Sequence, residues 1–422
     1  MRIAILAAGS EGDVRPYVAL GLGLKASGHE VCLAAFAGFQ PLVTGQGLAF
    51  YPVPNPAATL ESAPAWQAWQ HSQGNSIRHL HNLRRVARLA GTAIEDMLDG
   101  FWAACQGAGA IVSSSTSLAG PHIAEKRGVA HVWALLQPMT RTRAFPYYLS
   151  PIRFPPESRF NLLTYIAAEH LFWQLFKWPI NRWRQSTLGL RPLLAPGPYR
   201  SLDGAGDPIL YGFSPSVVPR PADWGDGPCL AGYWFLDGPA DWAPPADLVA
   251  FLAGGPPPVY VGLGRLSAPD TCLDLALRAL RRLRCRGILW TGWRSVSRRE
   301  LPDDVFAVGH VPHDWLFPRV AAVVHHGGVG TTAAALRAGV PSVCVPGFFD
   351  QPFWSRRVAE LGAGPPPIVP KRLTVRQLAA ALDAATRNPA IRMRAGAIAK
   401  GIRAESGVDR AVEYLNRHFA AL

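Results

Sequence analysis

The stretch that most constrains this chain runs from Val320 to Phe353, VAAVVHHGGVGTTAAALRAGVPSVCVPGFFDQPF. Ala321 to His325 is a short apolar run rich in β-branched residues, which reads as a buried strand. Gly327, Gly328 and Gly330 follow as a turn. Thr331 to Ala338 carries a helix pattern and is stopped by Gly339 and Pro341. Ser342 to Val345 is the next strand. Strand, turn, helix and strand in this order belong to a parallel sheet flanked by helices.

The turn is the chemical part. Without side chains, glycines let backbone N–H groups approach a ligand closely. The N–H groups and positive dipole end of the following helix suit a phosphate. His326 and Thr331 add hydrogen-bond donors there. Asp350 and Gln351, after the next strand, offer two acceptors and a donor, a set better matched to sugar hydroxyls than to a second phosphate. The plainer alternative is a glycine turn of an ordinary α/β sheet, with Asp350 capping the helix behind it.

The length of 422 residues predicts two or three domains, and the 49% apolar content allows a sizeable core. No apolar run reaches the ~18 residues of a membrane span. Ile3 to Ala8 is too short for a signal-peptide core and runs into a charged loop. The six cysteines are scattered without CxxC or metal-ligand spacing. A cytoplasmic protein with free thiols is the expectation, extended to the inner face of the membrane. His325 and His326 are adjacent, but neighbours on a strand point to opposite faces and make a poor metal site. The net charge of +13 raises nucleic acid, a membrane surface or an acidic substrate as partners. No zinc finger, RNA-recognition signature or Lys/Arg run accompanies it, so nucleic acid is not expected.

The N-terminal region repeats the same architecture. Arg2 to Ala7 reads as a strand, Ala8 to Arg15 as a loop, Pro16 to Ser27 as a helix with proline at its start, and Val31 to Ala35 as a second strand. Ile77 to Cys105 shows helical spacing. Gly109 to Ser113, Leu118 to Lys126 and Ala130 to Leu136 continue the alternation of strand and helix. Gln137 to Pro198 interrupts it with a segment rich in aromatics and arginines. Pro192 to Gly238 is rich in proline and glycine. A second α/β half begins at Pro258, continues through the helix around Leu273 to Leu283 and the strand Gly287 to Thr291, and ends in a helix pattern from Pro389 to Phe419. The expected fold is α/β, with two facing Rossmann-like doubly wound domains and a cleft between them.

HHGGVGTTAAALRAGVPSVCVPGFFDQPFW resembles the donor signature of the sterol-glucosyltransferase branch of the inverting two-domain nucleotide-sugar glycosyltransferases, the GT-B fold of family 1. GSEGDVRPYVALGLGLKASGHEV resembles that family's opening motif, LQPMTRTRAFP its acceptor-side motif, GFSPSVVPRPADW and AGYWF its interdomain segment, and VPHDWLF its nucleotide-binding loop. These landmarks lie in order over nearly the whole chain. The resemblance implies an acceptor-binding domain at 1–200, a linker region at 201–240, a nucleotide-sugar-binding domain at 241–395 and a last helix, 396–422, crossing back to the first domain. Two departures stand out: Glu11, where the family has a basic or polar residue, and Arg265 in LGRL, where it commonly has Gly-Ser. Arg265 either forks a diphosphate or obstructs the site.

An acceptor alcohol needs a base, and a carboxylate within ~3 Å can take its proton as the bond forms. The resemblance makes Asp13 that base, with Ser10 orienting it or the acceptor; the plain alternative is that Asp13 caps a helix. No Asp-x-Asp triplet for a metal exists in the sequence. The leaving diphosphate falls instead to His326, Gly328, Gly330, Thr331, the helix dipole and Arg265, with no metal or other cofactor expected. His310 and Val311 are expected to hold the nucleobase, and Trp293 is either a second stacking residue or core. The resemblance implies UDP-glucose as co-substrate, Asp350 and Gln351 as the sugar-hydroxyl pair, and a hydrophobic small-molecule acceptor, either a sterol or polycyclic lipid or a polyketide-type natural product. A non-catalytic donor-binding homologue is the alternative function. A nicotinamide oxidoreductase is disfavoured because the first turn lacks G-x-G-x-x-G. The segment Arg141 to Arg191, with eight basic residues against two acids and many interleaved rings, suits the rim of an acceptor pocket or weak peripheral association with an anionic membrane.

Overall fold

A computed structural model describes residues 1–64, 76–195, 197–198, 206–239, 242–263, 269–292 and 301–420, with the side chains of 76–88 and 269–272 excepted. The chain forms two units. Unit 1 comprises Met1–Gly212, Arg220–Trp234 and Gly407–Leu422, and unit 2 comprises Phe213–Pro219 and Phe235–Ser406.

Unit 1 is built on seven parallel strands: β1 (Arg2–Leu6), β2 (Glu30–Phe36), β3 (Ala49–Val53), β4 (Ala110–Ser113), β5 (Ala130–Leu135), β6 (Ile209–Tyr211) and β7 (Cys229–Leu230), in the order β3-β2-β1-β4-β5-β6-β7. Ile3, Ala4, Ile5 and Leu6 are all buried, as expected of a strand covered on both faces by helices, where successive residues stay apolar rather than alternating. The chain grows outward from β1 to β3 and then returns to place β4 on the other flank of β1. The β1/β4 boundary is therefore a topological switch point, where ligands bind outside the carboxyl ends of the strands.

Helix α1 (Glu11–Ala26) follows β1. The sequence places its start at Pro16, but the helix begins five residues earlier. Ser10 stands at the N-cap and Asp13 reaches back to it, so the first turn nucleates ahead of the proline and leaves Pro16 inside the helix. Asp13 is thus in a helical first turn rather than in a loop. Helix α2 (Ser76–Ala104) and helix α3 (Gly120–Arg127) lie on either side of β4 in sequence. The aromatic segment after β5 contains one long helix, α4 (Arg159–Ser186). Trp173, Trp183 and Ile180 of α4 pack into the core of Leu98, Phe101 and Ile111. Arg184, only 1% exposed, holds α4 against α3 through both oxygens of Glu125 and through His122 Nδ1. Such an arginine is tolerated inside because every charge is met by a hydrogen-bonded partner.

Unit 2 has five parallel strands: β8 (Val259–Gly262), β9 (Gly287–Trp290), β10 (Val305–Val308), β11 (Ala322–His325) and β12 (Ser342–Cys344), ordered β10-β9-β8-β11-β12. Its switch point lies between β8 and β11. Helix α5 (Pro269–Leu283) follows β8, α6 (Val329–Ala338) follows β11, and α7 (Gln351–Glu360) follows β12. Val261, Val324 and Val343 face the core shared with α8 (Val375–Arg387), while Tyr260, Ile288 and Val323 face the other side with Leu316 and Phe317. Burying each of these valines contributes about 1.5–3 kcal/mol.

The terminal helix pattern, read as continuous from Pro389 to Phe419, is two helices: α9 (Pro389–Arg403) and α10 (Gly407–Ala420). The break divides them between the units. Helix α9 stays in unit 2, and α10 packs on α1 within unit 1, so closely that a Cβ on Gly23 would lie 2.5 Å from Val408. Among the described residues no helix is long and apolar enough to cross a membrane.

Candidate active site

In unit 1 the carboxyl end of β1 leads through Ala8 and Gly9 into the cap of α1. Gly9 has φ +139°, and a Cβ there would come 2.6 Å from Asp13 Oδ2. Only glycine permits both the backbone and the inward turn of the carboxylate. Asp13 Oδ2 accepts from Ser10 N and from Ser10 Oγ, each at 2.8 Å. Burial pushes the Asp13 carboxyl up from its ordinary range, and the two Ser10 bonds pull the other way. The result is a half-buried carboxylate of raised basicity, suited to accepting a proton.

Residues that the sequence reading did not single out complete this edge. Ser114 and Thr116 follow β4 across the switch point. Ala8 N donates to Ser114 Oγ at 3.4 Å, Thr116 Oγ1 donates to Ala8 O at 2.6 Å, and the two hydroxyls are 3.1 Å apart. They lock the Asp13 loop to the neighbouring strand end. Their signal was the run SSSTS directly after an apolar strand, where the same switch-point rule applies.

In unit 2 the glycine turn follows β11. The sequence begins the helix at Thr331, whereas α6 begins at Val329 with Gly328 as N-cap. Gly330 and Thr331 therefore belong to the first helical turn. No side chain caps this end, so its early N–H groups are left for a ligand or water. A Cβ on Gly328 would stand 2.6 Å from His326 Nε2, which places that nitrogen beside the helix start. His326 Nδ1 is buried without a hydrogen-bond partner among the described residues. Burial pushes the His326 pKa down, opposed by the backbone of Gly262, so the ring is a neutral donor or acceptor near pH 7.

Gly327, at φ +84°, is the hinge of the turn, and a Cβ there would collide with Ser355 Oγ and the Gln351 carbonyl. That contact brings the start of α7 against the turn. Asp350 is the N-cap of α7, and its Oδ2 accepts from Trp354 Nε1 at 3.0 Å. Gln351 Oε1 accepts from Gly347 N at 2.8 Å and Phe348 N at 3.3 Å. The Gln351 oxygen is thus spent on its own loop, and the side-chain amide nitrogen is the group left for a ligand. Phe349, just before Asp350, has φ +55° and is 73% exposed.

His310 is exposed and Val311 half-buried, directly after β10. His326, Gly328, Gly330 and Thr331 follow β11, and Asp350 and Gln351 follow β12, so these six share the carboxyl edge of one parallel sheet with His310 and Val311. Arg265 and Trp293 lie outside the described residues. Among the described residues no group of three or more His, Cys, Asp or Glu side chains comes together as a metal-ligand set.

Residues 3–146 match the family described as Glycosyltransferase family 28 N-terminal domain, and residues 292–413 match Erythromycin biosynthesis protein CIII-like, C-terminal domain. The chain is 36% identical over 434 residues to a sterol 3-beta-glucosyltransferase of Aspergillus terreus, in an alignment covering 99% of this chain and 30% of that protein. It is 34% identical over 443 residues to that of Cryptococcus neoformans, covering 99% and 27%. The chain therefore spans roughly 30% of the length of these curated relatives. Among solved structures, the glycotransferase of kitacinnamycin matches with a TM-score of 0.69 at 20% identity, over 99% of this chain and 98% of that one. Spinosyn forosaminyltransferase SpnP matches with 0.69 at 19%, over 100% and 99%. Spinosyn rhamnosyltransferase SpnG complexed with thymidine diphosphate matches with 0.64 at 20%, over 99% and 100%. These likenesses establish the two-sheet GT-B fold. Taken with the similarity along 99% of the chain, they show a chain of the GT-B fold that resembles sterol 3-beta-glucosyltransferases over nearly its whole length and spans under a third of theirs.

Proposed function

We propose that this protein is an inverting glycosyltransferase that moves a hexose from a nucleoside diphosphate to a hydroxyl of a hydrophobic acceptor. Unit 1 takes the acceptor and unit 2 the donor. The observation that carries the reading is the uncapped start of α6 with His326 Nε2 beside it at the switch point of the unit 2 sheet. Backbone N–H groups, the helix dipole and a neutral imidazole form a ready place for the charge that develops on a leaving diphosphate. The amide nitrogen of Gln351 and the carboxylate of Asp350 meet the sugar hydroxyls, and His310 with Val311 meets the nucleobase.

The acceptor oxygen attacks the anomeric carbon while its proton passes to Asp13 Oδ1, the carboxylate oxygen that Ser10 does not hold. The bond from the anomeric carbon to the diphosphate oxygen breaks, and its electron pair leaves with the nucleotide. Attack from the side opposite the leaving group inverts the anomeric centre. The relatives' name, sterol 3-beta-glucosyltransferase, favours UDP-glucose and a sterol or other polycyclic lipid. The neighbour holding thymidine diphosphate adds TDP sugars to the set to be tried, and polyketide-type natural products stand beside sterols as the second acceptor class. A lipid acceptor is held in a bilayer, so the reading extends to weak peripheral association with an anionic membrane.

The test is a donor and acceptor matrix read by mass spectrometry: UDP-glucose, UDP-galactose and TDP-glucose against sterols and polyketide-type aglycones. The expected result is a hexose mass gain on at least one acceptor, with inverted anomeric configuration by NMR. Nucleotide binding with no acceptor-dependent release of nucleoside diphosphate would instead make the chain a donor-binding protein without turnover.

A further inference from the structure

Helix α4 (Arg159–Ser186) has two apolar faces, and the fold uses one. Its inner face, with Tyr165, Trp173, Ile180 and Trp183, is buried. Its outer face carries Phe160, Leu163, Ile166, Leu171, Leu175 and Trp178, between 43% (Ile166) and 62% (Leu175) exposed. These six recur at steps of three to five residues, which keeps them on one half of a helix turning 3.6 residues at a time. With Ile152 just upstream they make seven of the fourteen exposed large apolar side chains among the described residues. Half of the exposed large apolar side chains among the described residues therefore sit on and beside one helix, about 42 Å long. Scattered surface leucines are ordinary, but a continuous stripe marks an interaction surface.

The charges around the stripe are predominantly basic, with Glu157 just upstream of the helix and Glu95 beside Arg182 as the acids. Arg159, Lys177 and Arg182 are exposed at its margins, and Arg153 precedes it. Arg182 reaches over the Trp178 ring, 5.3 Å from its centroid, and its ion pair with Glu95 is a loose 3.6 Å. The only acid in the helix, Glu169, is buried on the inner face and taken up by Arg141. A second copy of this chain laid on the stripe would bring one net-basic margin against another, four basic side chains against Glu157 and Glu95 on each side, since a two-fold contact pairs a patch with itself. An anionic bilayer offers the complement to both parts: headgroup phosphates for the cations and the acyl boundary for the apolar side chains.

We propose that the outer face of α4 is the surface by which this protein lies on an anionic lipid bilayer. The inference rests on the peripheral association proposed above and names the element responsible. The helix lies in the plane of the interface, its leucines and Trp178 entering the acyl boundary and Arg159, Lys177 and Arg182 staying at headgroup level. The inner face remains in the protein core, so binding needs no unfolding. The expected association is weak and salt-sensitive, because exposed charges are screened.

The experiment is co-sedimentation of the full chain with phosphatidylcholine vesicles, with and without phosphatidylglycerol, at low and high salt. Wild type is expected to bind the anionic vesicles at low salt and to stay in the supernatant with neutral ones. The double variant Leu171→Glu with Leu175→Glu is expected to lose at least about tenfold in partitioning, since two exposed leucines no longer enter the lipid. Its far-UV circular dichroism and melting temperature should match wild type. A control pair in unit 2, Val369→Glu with Met393→Glu, removes comparably exposed residues and should bind as wild type. Wild type that ignores both vesicle types overturns the peripheral association and this surface together. Anionic binding that the α4 double variant keeps overturns this surface alone. A wild-type dimer in sedimentation velocity that the α4 variant dissolves assigns the stripe to a second copy and also overturns it.

Discussion

The amide of Gly327 donates to Nδ1 of His325 across 3.1 Å, inside the turn that follows β11 in unit 2. The accepting nitrogen must be unprotonated, so the turn depends on a neutral imidazole. Burial, with repulsion from His326 and His313, pushes the His325 pKa from 6.5 down to about 3. In this window the unfolded chain binds a proton that the folded one does not. Stability from this group is therefore full above 6.5 and is lost as pH falls toward 3, by about 1.4 kcal/mol per pH unit for one proton. Melting curves from neutral to acid pH should show this slope, and His325→Asn should flatten it while lowering stability at neutral pH. Parallel wild-type and variant curves would assign the slope to other groups, of which His122, also pushed down to about 3, is the first to examine.

Asp13→Asn should lower transfer by at least ~100-fold, the usual scale for a general base, with the fold and nucleotide binding intact. The base works ionised, so activity should rise with pH through a carboxyl pKa that burial has raised. The Ser10 hydroxyl bond pulls that pKa down, and Ser10→Ala should move the acid limb of the rate profile to higher pH. Stability has the opposite sign. A carboxyl raised in the fold contributes below the unfolded carboxylate range and loses that contribution as pH rises through its folded pKa. Asp13→Asn should consequently melt no lower than wild type near pH 7. A variant with near-normal turnover would place the base elsewhere.

Much of the candidate site is legible in the sequence because local rules build it. A β-branched run ending in glycines reads as a buried strand and a turn, and the structure has both, with His326, Gly328 and Asp350 after strand ends as expected. The illegible parts have physical reasons. Pro16 looks like a helix start, but the reach of Asp13 back to Ser10 begins α1 earlier. Strand β3, AFYPV, contains Pro52 and does not read as a strand; it is tolerated because β3 is the edge of its sheet. The Ser114 and Thr116 bonds to Ala8 span more than a hundred residues, beyond any window of local pattern. The Gln351 oxygen is taken by backbone only once the Gly347 loop has its shape.

His326→Ala should weaken binding of the nucleoside diphosphate and slow transfer, since it removes the imidazole beside the start of α6. Isothermal titration with UDP and a turnover assay check the two effects separately. Transfer should also survive EDTA, since the proposed site gives helix N–H groups and His326 the role that an Asp-x-Asp metal fills elsewhere. A strict requirement for added Mg²⁺ or Mn²⁺ would contradict this.

Gln351→Ala should loosen sugar choice through two losses. The amide nitrogen no longer meets a sugar hydroxyl, and a hydrogen-bond partner left unpaired there costs ~1–3 kcal/mol. The backbone N–H groups of Gly347 and Phe348 also lose their acceptor, so the loop before Asp350 loosens. The ratio of turnover with UDP-glucose to that with UDP-galactose should fall toward unity. An unchanged ratio would mean that the amide faces something other than the sugar.

Phe349 holds a left-handed backbone, φ +55°, immediately before the Asp350 cap. Its ring meets only the edge of Phe348 among the described ring pairs and is 73% exposed, so packing returns little for the strain. A non-glycine residue in this region costs about 1–2 kcal/mol, and glycine removes that cost while adding back some unfolded-state entropy. Phe349→Gly should therefore raise stability by up to about 1 kcal/mol, read as a higher denaturant midpoint at unchanged slope. Strain of this kind persists where it holds a functional group in place, and on the function proposed above that group is the Asp350–Gln351 pair. The same variant should accordingly raise KM for the nucleotide sugar while leaving UDP affinity near wild type. A more stable protein with unaltered KM would show that the strained backbone does not position the pair, and a less stable one that the Phe348–Phe349 contact outweighs the strain.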